Sequence, residues 1–199
     1  MKKIAIFGGT FNPVHNGHLH LCNEMQLRFH FDKILLIPTN IPPHKKCMNL
    51  ASNEERYTML QLATNGNPLY EISDIEFRLK GKSYTYNTIQ ALKKDYHDCE
   101  FYLLIGSDML KIFDQWYRYQ DILKEVTVIV GAREQSEYQE LIKMKKDKFQ
   151  ETDKLQIIDI SVLPKSSTEI REAIQNKLDL SNSLSPSVLA YIQSHNLYQ

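Results

Sequence analysis

Glycine and histidine residues near the N-terminus carry the strongest chemical signal in the sequence. Gly8 and Gly9 follow a short apolar run, and His15 and His18 are three residues apart with Gly17 between them. Glycines let a backbone approach a ligand closely, and two histidines at this spacing can face one ligand at a helix entrance. The start of a helix also attracts anions. The segment therefore predicts a phosphate-binding loop in which two imidazoles stabilise negative charge.

The structural alternative is a tight turn whose histidines only cap the following helix. The combination of strand, double glycine, His-x-Gly-His and helix is rarer by chance than a lone histidine, which favours binding. Other phosphate loops have different patterns: a Walker loop ends in Gly-Lys-Ser/Thr, and a dinucleotide-binding loop carries GxGxxG. Neither pattern occurs in the segment GGTFNPVHNGH.

A second candidate anion site lies near the C-terminus, in the segment SSTEIR. Ser167 and Thr168 bring hydroxyls and backbone amides to the start of a predicted helix, and Arg171 follows one turn later. Ser166 and Glu169 also have the spacing of a capping box. Capping and anion binding are compatible, so both are expected here.

These motifs lie in a chain where predicted strands and helices alternate. Apolar or β-branched runs predict strands, which cover 4–7, 33–37, 101–105, 126–130, 155–160 and a further stretch around 70–75. Helical patterns cover 17–29, 53–64, 85–94, 136–149 and 167–176, followed by a last helix capped by Ser185 with Pro186 in its first turn.

The alternation predicts a single α/β domain over residues 1–199, with a Rossmann-like, doubly wound, mainly parallel sheet and helices on both faces. The part from about residue 161 to 199 is expected to be helical and to carry the SSTEIR motif. In such a sheet, ligands bind beyond the carboxyl ends of the strands. The loops after the strands are therefore the places to look for chemistry.

Composition limits the classes of partner. Lysine plus arginine total 24 and aspartate plus glutamate total 24, so no overall field attracts nucleic acid or an anionic membrane. Cys22, Cys47 and Cys99 lack the spacing of a zinc site or a CxxC pair and are expected to be reduced thiols. No run approaches the roughly 20 apolar residues of a membrane span. We expect a soluble, cytoplasmic protein, and a homo-oligomer is compatible with the sequence.

The string GGTFNPVHNGHL resembles the His-x-Gly-His signature of the nucleotidyltransferase superfamily and, at its full length, the nicotinate-nucleotide adenylyltransferase family. The resemblance runs almost end to end through PPHK, ERYTMLQLA, SYT, LIGSD and SSTEIR, in the expected order. It implies transfer of AMP from ATP to nicotinate mononucleotide, with pyrophosphate released and Mg²⁺ carried on ATP. No serine or cysteine nucleophile with an orienting base is evident, so direct in-line attack is expected.

The resemblance also implies the site residues, in overlapping sets, and it assigns none to a metal. The catalytic set is His15, His18, Lys46 and Arg171. The ATP-binding set is Gly8, Gly9, Thr10, Phe11, His15, His18, Ile105, Gly106, Asp108, Ser167, Thr168 and Arg171. The set for nicotinate mononucleotide is His44, Lys46, Tyr84, Thr85, Trp116, Tyr117 and Arg133.

Several of these residues have a structural alternative. Thr85 and Asp108 could cap helices, Trp116 could belong to the core, and the segment 42–46 could be a proline-stiffened surface loop. The position in the sequence or the family resemblance favours binding for Thr85, Trp116 and the proline segment. For Asp108 taken alone, capping and binding are about equally favoured.

The sequence departs from the family pattern at four positions: Asn12 and Asn87 replace the more frequent aspartate, Ser107 replaces alanine, and Lys165 replaces isoleucine. None of these departures removes a phosphate-binding group. The functional alternatives are adenylyl transfer to nicotinamide mononucleotide or phosphopantetheine, and a non-catalytic nucleotide sensor on the same fold.

Overall fold

Six parallel strands form the central sheet of this 199-residue chain. The computed structural model describes residues 1–42, 49–132, 134–149, 152–160 and 166–199. Within these ranges the strand order is β3-β2-β1-β4-β5-β6, and every neighbouring pair is parallel. The strands are β1 (Lys2–Gly9), β2 (Lys33–Pro38), β3 (Tyr70–Ile72), β4 (Cys99–Gly106), β5 (Thr127–Ala132) and β6 (Leu155–Asp159). The predicted doubly wound α/β sheet is confirmed.

The helices flank the strands on both faces, also as predicted. They are α1 (Asn16–Phe29), α2 (Asn53–Thr64), α3 (Ile75–Leu79), α4 (Thr85–Asp95), α5 (Ser107–Leu110), α6 (Tyr119–Glu125), α7 (Gln135–Phe149), α8 (Ser167–Gln175) and α9 (Pro186–Ser194), with a 3₁₀ turn at Phe113–Gln115. No helix in the described part of the chain is long and apolar enough to cross a membrane.

Alternating side chains of the strands pack into two separate hydrophobic cores, one on each face of the sheet. Ala5 and Phe7 of β1 pack with α1, α2, α8 and α9, whereas Ile4 and Ile6 pack with α4, α6 and α7 on the other face. Successive side chains of a strand point to opposite faces, so a sheet covered on both sides needs an unbroken apolar run. This is why the strands lack polar alternation.

The predicted strand around 70–75 is shorter than expected. β3 ends at Ile72, and the chain enters the short helix α3 at Ile75. The amide of Ser73 donates to the carbonyl of Leu36 at 3.0 Å, and Asp74 then leaves the extended conformation, with φ −85° and ψ 12°. Ile75 is buried as predicted for an apolar residue, but as the first residue of a helix. The predicted strand is confirmed, but its predicted end was wrong because burial alone does not distinguish a strand residue from the first residue of a helix.

The strand order places a crevice beside β1. From β1 the chain first adds β2 and β3 on one side, then returns to add β4, β5 and β6 on the other. Helices that leave β1 and β4 therefore diverge, and ligands of doubly wound sheets bind at such a switch point. β1 ends at Gly9 and β4 at Gly106, so both glycine-containing motifs reach this edge.

Candidate active site

The double glycine lies at the end of strand β1, not in the loop that the sequence predicted. A side-chain carbon added at Gly9 would lie 3.1 to 3.3 Å from the ring of Phe11, whereas one at Gly8 would meet only the carbonyl of Ile37, at 4.0 Å. Phe11 is buried and has a positive φ of 49°. Gly9 therefore makes room for Phe11 to fold back over the strand, and Gly8 leaves the backbone accessible.

His15 and His18 lie together at the start of α1, with ring centroids 3.7 Å apart. The helix begins at Asn16, one residue earlier than predicted, with His15 as its N-cap. The backbone N–H of His15 donates to Nδ1 of His18 at 3.2 Å. Because Nδ1 accepts this bond, a neutral His18 ring carries its proton on Nε2. The capping role considered as an alternative is real, and it fixes which nitrogen of His18 is the donor.

His18 is held in its neutral form. Burial lowers the pKa of His18 well below its ordinary value, and the neighbouring His15 lowers it further. The ring of Phe11 packs edge-on against His18 at 5.1 Å and contributes to the apolar surroundings. Before a nucleotide binds, His18 is therefore an uncharged donor through Nε2 near neutral pH.

The lowered pKa of His18 predicts a pH-dependent stability. The unfolded chain takes up a proton at His18 more readily than the folded protein, so this contribution is complete above about pH 6.5 and is lost as the pH falls towards the lower folded pKa. We expect the wild type to lose more unfolding free energy than His18→Asn between about pH 7.5 and pH 5.5 in urea titrations. Equal losses in the two proteins would contradict the neutral assignment.

Helix α8 brings the second anion motif onto the same loop. Nη1 of Arg171 donates to the carbonyl oxygen of Asn12 at 2.8 Å and to that of Ser167 at 3.1 Å. The hydroxyl of Ser167 donates to the carbonyl of Pro13 at 3.0 Å, and Nη2 of Arg171 donates to Oγ1 of Thr168 at 3.2 Å. The two motifs, separated by about 150 residues of sequence, thus form one unit.

The predicted capping box at the start of α8 is confirmed. The hydroxyl oxygen of Ser166 accepts from the amide of Glu169, and the Glu169 carboxylate accepts from the amide of Ser166 at 2.6 Å. Ser185 caps α9 with its hydroxyl oxygen, which accepts from the amide of Val188, and Pro186 lies in the first turn, as predicted.

Asn12 is a buried junction beneath the loop. Its side-chain oxygen accepts from the Tyr198 hydroxyl at 2.8 Å and from the amide of Ala51 at 3.0 Å, and its Nδ2 donates to the carbonyl of Asn49 at 3.1 Å. A carboxylate could not make the last of these bonds, because it has no N–H to donate. The departure from the aspartate of the family pattern therefore suits this environment. Sequence reasoning missed Tyr198, which no local motif marks.

Gly106 and Asp108 form the corresponding feature at the end of β4. A side-chain carbon added at Gly106 would lie 2.7 Å from Oδ1 of Asp108, so the carboxylate lies over the glycine. Gly106 is the N-cap residue of α5, without a side-chain capping bond, and the capping alternative for Asp108 is wrong. Ile105 is buried in the core, so only its backbone can face a ligand.

Replacing Gly106 by alanine is predicted to displace the Asp108 carboxylate. If this carboxylate contacts the ribose, the Michaelis constant for ATP should rise about tenfold, the size of one hydrogen bond to a charged group. Thermal stability should change little, because a single side chain at the crevice can move aside. Steady-state kinetics with varied ATP, beside Asp108→Ala, measure this effect.

Gly131→Ala is a matched control for Gly106→Ala, because Gly131 pairs with Gly106 on the neighbouring strand but faces the core and not the Asp108 carboxylate. A side-chain carbon there would meet Ile160 at 2.6 Å and Leu21 at 2.7 Å, both in the core. Gly131→Ala is therefore expected to cost about 1–3 kcal/mol of stability through overpacking. An unchanged ATP constant in Gly106→Ala would remove the proposed role of Asp108.

The predicted pyridine segment places two tyrosines side by side. Tyr84 is the N-cap residue of α4 and Thr85 is its first helical residue, so the alternative in which Thr85 caps the helix is wrong. The rings of Tyr84 and Tyr117 lie 5.0 Å apart, and Tyr117 is 50% exposed. Trp116 is only partly exposed and packs against Phe113 at 5.2 Å. An open aromatic surface thus adjoins the start of α4.

Backbone hydrogen bonds connect this segment to the phosphate loop. The amide of Thr39, just after β2, donates to the carbonyl of Gly9 at 2.9 Å. Two residues later Ile41 forms a parallel bridge with Lys82, and its carbonyl accepts from the amide of Ser83 at 3.0 Å. Residues 39–41 therefore lie between the two predicted subsites.

Three predicted site residues lie outside the described residues, namely His44, Lys46 and Arg133. Among the residues that the structure describes, no group of three or more histidine, cysteine, aspartate or glutamate side chains could hold a metal ion.

Sequence reasoning assigned helix α2 to packing and missed Arg56. This arginine is completely buried, and its Nη1 donates to the carbonyl oxygen of Thr10 in the phosphate loop at 2.8 Å. Its Nε donates to the carbonyl of Ala51 at 3.2 Å. The sequence did carry a signal for it: Arg56 lies three residues before Met59 and four before Leu60, so helical spacing places a cation on the apolar, buried face of α2.

Comparisons with known proteins identify the family. Residues 6–173 match the cytidylyltransferase-like family model. A protein of Oceanobacillus iheyensis named "probable nicotinate-nucleotide adenylyltransferase" is 36% identical over 198 residues, covering 100% of this chain and 97% of its own length. A protein of the same name from Clostridium tetani is 37% identical over 202 residues, and the match covers 100% of both chains.

Solved structures agree on the fold. The nicotinic acid mononucleotide adenylyltransferase of Plasmodium falciparum, complexed with NaAD, superposes with a TM-score of 0.79 at 22% identity, covering 100% of this chain and 98% of that one. This likeness concerns the fold alone, whereas the full-length sequence matches concern the family. The chain therefore belongs to the cytidylyltransferase-like family and, within it, to the nicotinate-nucleotide adenylyltransferases.

Proposed function

We propose that this protein transfers the AMP part of ATP to nicotinate mononucleotide, giving deamido-NAD and pyrophosphate in NAD biosynthesis. The observation that carries the proposal is the convergence of two helix starts on one loop at the switch point. Arg171 of α8 holds the carbonyl of Asn12 at 2.8 Å, and His15 and His18 of α1 follow a few residues later. Such a pair of helix starts suits a triphosphate bound between them.

The proposed reaction is a direct in-line displacement. A phosphate oxygen of nicotinate mononucleotide forms a bond to the α-phosphorus of ATP while the bond from that phosphorus to the β-bridging oxygen breaks, releasing pyrophosphate. The attacking phosphate is already anionic near neutral pH, so no general base and no covalent enzyme intermediate are needed. Catalysis then consists of positioning and of stabilising the charge that develops on oxygen.

The protein groups divide this work by position. His18 donates through Nε2 to an oxygen of the α-phosphate, and His15, in ring contact with it, acts on the same group. Arg171 neutralises the leaving pyrophosphate from the opposite side of the loop, together with Lys46. Gly8, Gly9, Thr10, Phe11, Ser167 and Thr168 complete the phosphate site, and Gly106 and Asp108 contact the adenosine.

Mg²⁺ is proposed to enter bound to ATP. The groups around the proposed phosphate site are imidazole, guanidinium, hydroxyl and amide groups, and the described residues include no group of three or more histidine, cysteine, aspartate or glutamate side chains that could hold a metal ion. These groups suit an ion held by phosphates and water, which is a common arrangement for Mg²⁺. Bound there, the ion would neutralise charge on the phosphates.

We assign the pyridine ring to the surface formed by Tyr84, Thr85, Trp116 and Tyr117. Backbone amides near Thr85 and Tyr117 are the proposed donors to the nicotinate carboxylate. Arg118 lies beside this surface, with its guanidinium stacked on Tyr86 at 4.1 Å and paired with Asp121 at 2.7 Å. We propose the cytoplasm as the compartment, consistent with the unbridged Cys22 and Cys99.

Pyrophosphate release from MgATP tests the proposal, with nicotinate mononucleotide, nicotinamide mononucleotide and phosphopantetheine compared as acceptors. We expect a strong preference for nicotinate mononucleotide, and a reaction without acceptor corrects for hydrolysis of ATP. A preference for the nicotinamide compound would overturn the assignment of the pyridine site. Turnover only with phosphopantetheine would overturn the proposed acceptor, and ATP binding without turnover would favour the nucleotide sensor.

A further inference from the structure

A chain of polar side chains connects the phosphate loop to the pyridine segment. It begins at the buried Arg56, whose Nη1 donates to the carbonyl of Thr10 at 2.8 Å. Nη2 of the same guanidinium donates to Oδ1 of Asn53 at 2.5 Å. One rigid, planar group thus holds both the backbone of the phosphate loop and the first residue of helix α2.

The chain continues through a second asparagine. Nδ2 of Asn53 donates to Oδ1 of Asn40 at 2.8 Å. Nδ2 of Asn40 donates to the carbonyl of Gly81 at 3.1 Å, and its backbone N–H donates to the hydroxyl oxygen of Ser83 at 2.9 Å. Ser83 immediately precedes Tyr84, so the chain of hydrogen bonds ends at the predicted pyridine segment.

A buried carboxyl reinforces the far end of this chain. Glu76 of α3 is 7% exposed and accepts a hydrogen bond from the Thr88 hydroxyl of α4 at 2.9 Å. Burial raises the pKa of Glu76, and hydrogen bonds from Ser83, Thr88 and the backbone of Asn40 act against that shift, as does, more weakly, the positive charge of Arg56.

Stability alone is a weak reason for this arrangement. A buried cation loses its hydration, and an apolar side chain of similar volume often supports a fold equally well or better. The neighbours of Arg56 on its helix face, Met59 and Leu60, are apolar and fully buried. What a guanidinium adds is direction, because it fixes several oxygen atoms at set distances.

We propose that Arg56, Asn53 and Asn40 are positioning residues that set the distance between the ATP loop and the segment that holds nicotinate mononucleotide. This inference rests on the proposed function, in which two nucleotides held by different segments react in line. In-line attack demands close alignment of the two phosphates, and a misplacement of about 1 Å can cost about a hundredfold in rate. The three residues act through the segments and touch neither substrate.

The central link is the best place to test the chain. Asn53 is only partly buried, so Asn53→Ala should fold, whereas truncating Arg56 would leave buried carbonyls unpaired. We expect kcat to fall about tenfold or more, while the dissociation constants of ATP and of the acceptor nucleotide, each measured alone, stay within about threefold. Arg56→Lys keeps the positive charge but loses the planar guanidinium that donates to several oxygens at once. It should likewise lower kcat while leaving both dissociation constants nearly unchanged.

Asn67→Ala is the matched control. Asn67 follows the other end of helix α2 and accepts a local bond from the amide of Leu69 at 3.0 Å, away from both segments. It should leave kcat and both dissociation constants at wild-type values. If Asn53→Ala behaves like this control, or weakens binding with kcat unchanged, the positioning role is wrong.

Hydrogen–deuterium exchange separates this inference from the proposed function, since it needs no acceptor. With ATP alone bound, the amides of 81–86 should exchange faster in Asn53→Ala than in the wild type or Asn67→Ala. If Asn53→Ala exchanges faster but the wild-type protein does not turn over nicotinate mononucleotide, the link is supported and the proposed function is overturned. If the wild-type protein turns over nicotinate mononucleotide and Asn53→Ala has the same exchange rates and the same kcat, the proposed function is supported and the link is overturned.

Discussion

Replacing His18 by alanine is expected to lower kcat and kcat/KM together, by about a hundredfold or more, as loss of a transition-state donor does. The neutral ring presents its Nε2 proton because Nδ1 is engaged by the His15 amide at 3.2 Å. Negative charge develops in the transition state on the oxygen that bridges the α- and β-phosphorus and leaves with pyrophosphate. A hydrogen bond donated around this oxygen and the α-phosphate therefore matters more in the transition state than in the ground state. Steady-state pyrophosphate release at saturating substrates gives both constants.

Two conservative variants separate donation from folding at this position. Asn in place of His18 retains an acceptor near Nδ1 for the His15 amide but has no donor that reaches as far as Nε2. Gln in place of His18 extends an N–H towards the position of Nε2 but does not place an acceptor near Nδ1. We expect His18→Asn to be as slow as His18→Ala and His18→Gln to recover part of kcat. An unchanged kcat with only weaker ATP binding in His18→Ala would exclude the proposed role.

Arg171→Ala is expected to have the second large effect, lowering kcat/KM for ATP by about a hundredfold. Two losses combine in this variant. The leaving pyrophosphate loses a positive charge, and the carbonyl of Asn12, held by Arg171 at 2.8 Å, loses its donor at the base of the phosphate loop. The same pyrophosphate assay measures the effect, and thermal unfolding shows how much stability is lost.

The lysine variant divides these two contributions. Arg171→Lys keeps the charge but cannot reproduce both the bond to Asn12 and the bond to Thr168. If charge dominates, the lysine variant should recover most of the lost activity. If the loop anchor dominates, it should resemble alanine. Near-wild-type kinetics for Arg171→Ala would show that neither contribution matters and would remove Arg171 from the catalytic set.

The local sequence was sufficient to predict the fold class and which two helix starts carry the candidate phosphate motifs. Buried parallel strands need unbroken apolar runs, and helix starts need capping residues, so both leave signals within a few residues. The capping box of Ser166 and Glu169 is one such signal, and the structure reproduces it. The same kind of reasoning placed the end of the strand at 70–75 too late, because the apolar Ile75 suits a strand or a helix equally well.

The buried polar residues that sequence reasoning missed make hydrogen bonds to distant parts of the chain. Arg56 binds a carbonyl 46 residues away, and Tyr198 binds Asn12 across 186 residues. The proton position on His18 and the fold of Asp108 over Gly106 likewise depend on three-dimensional packing. A local pattern records propensity and burial, whereas a hydrogen bond depends on where two distant segments meet. The sequence thus determined which elements form and which motifs they carry; only the tertiary structure decided how those motifs are held together.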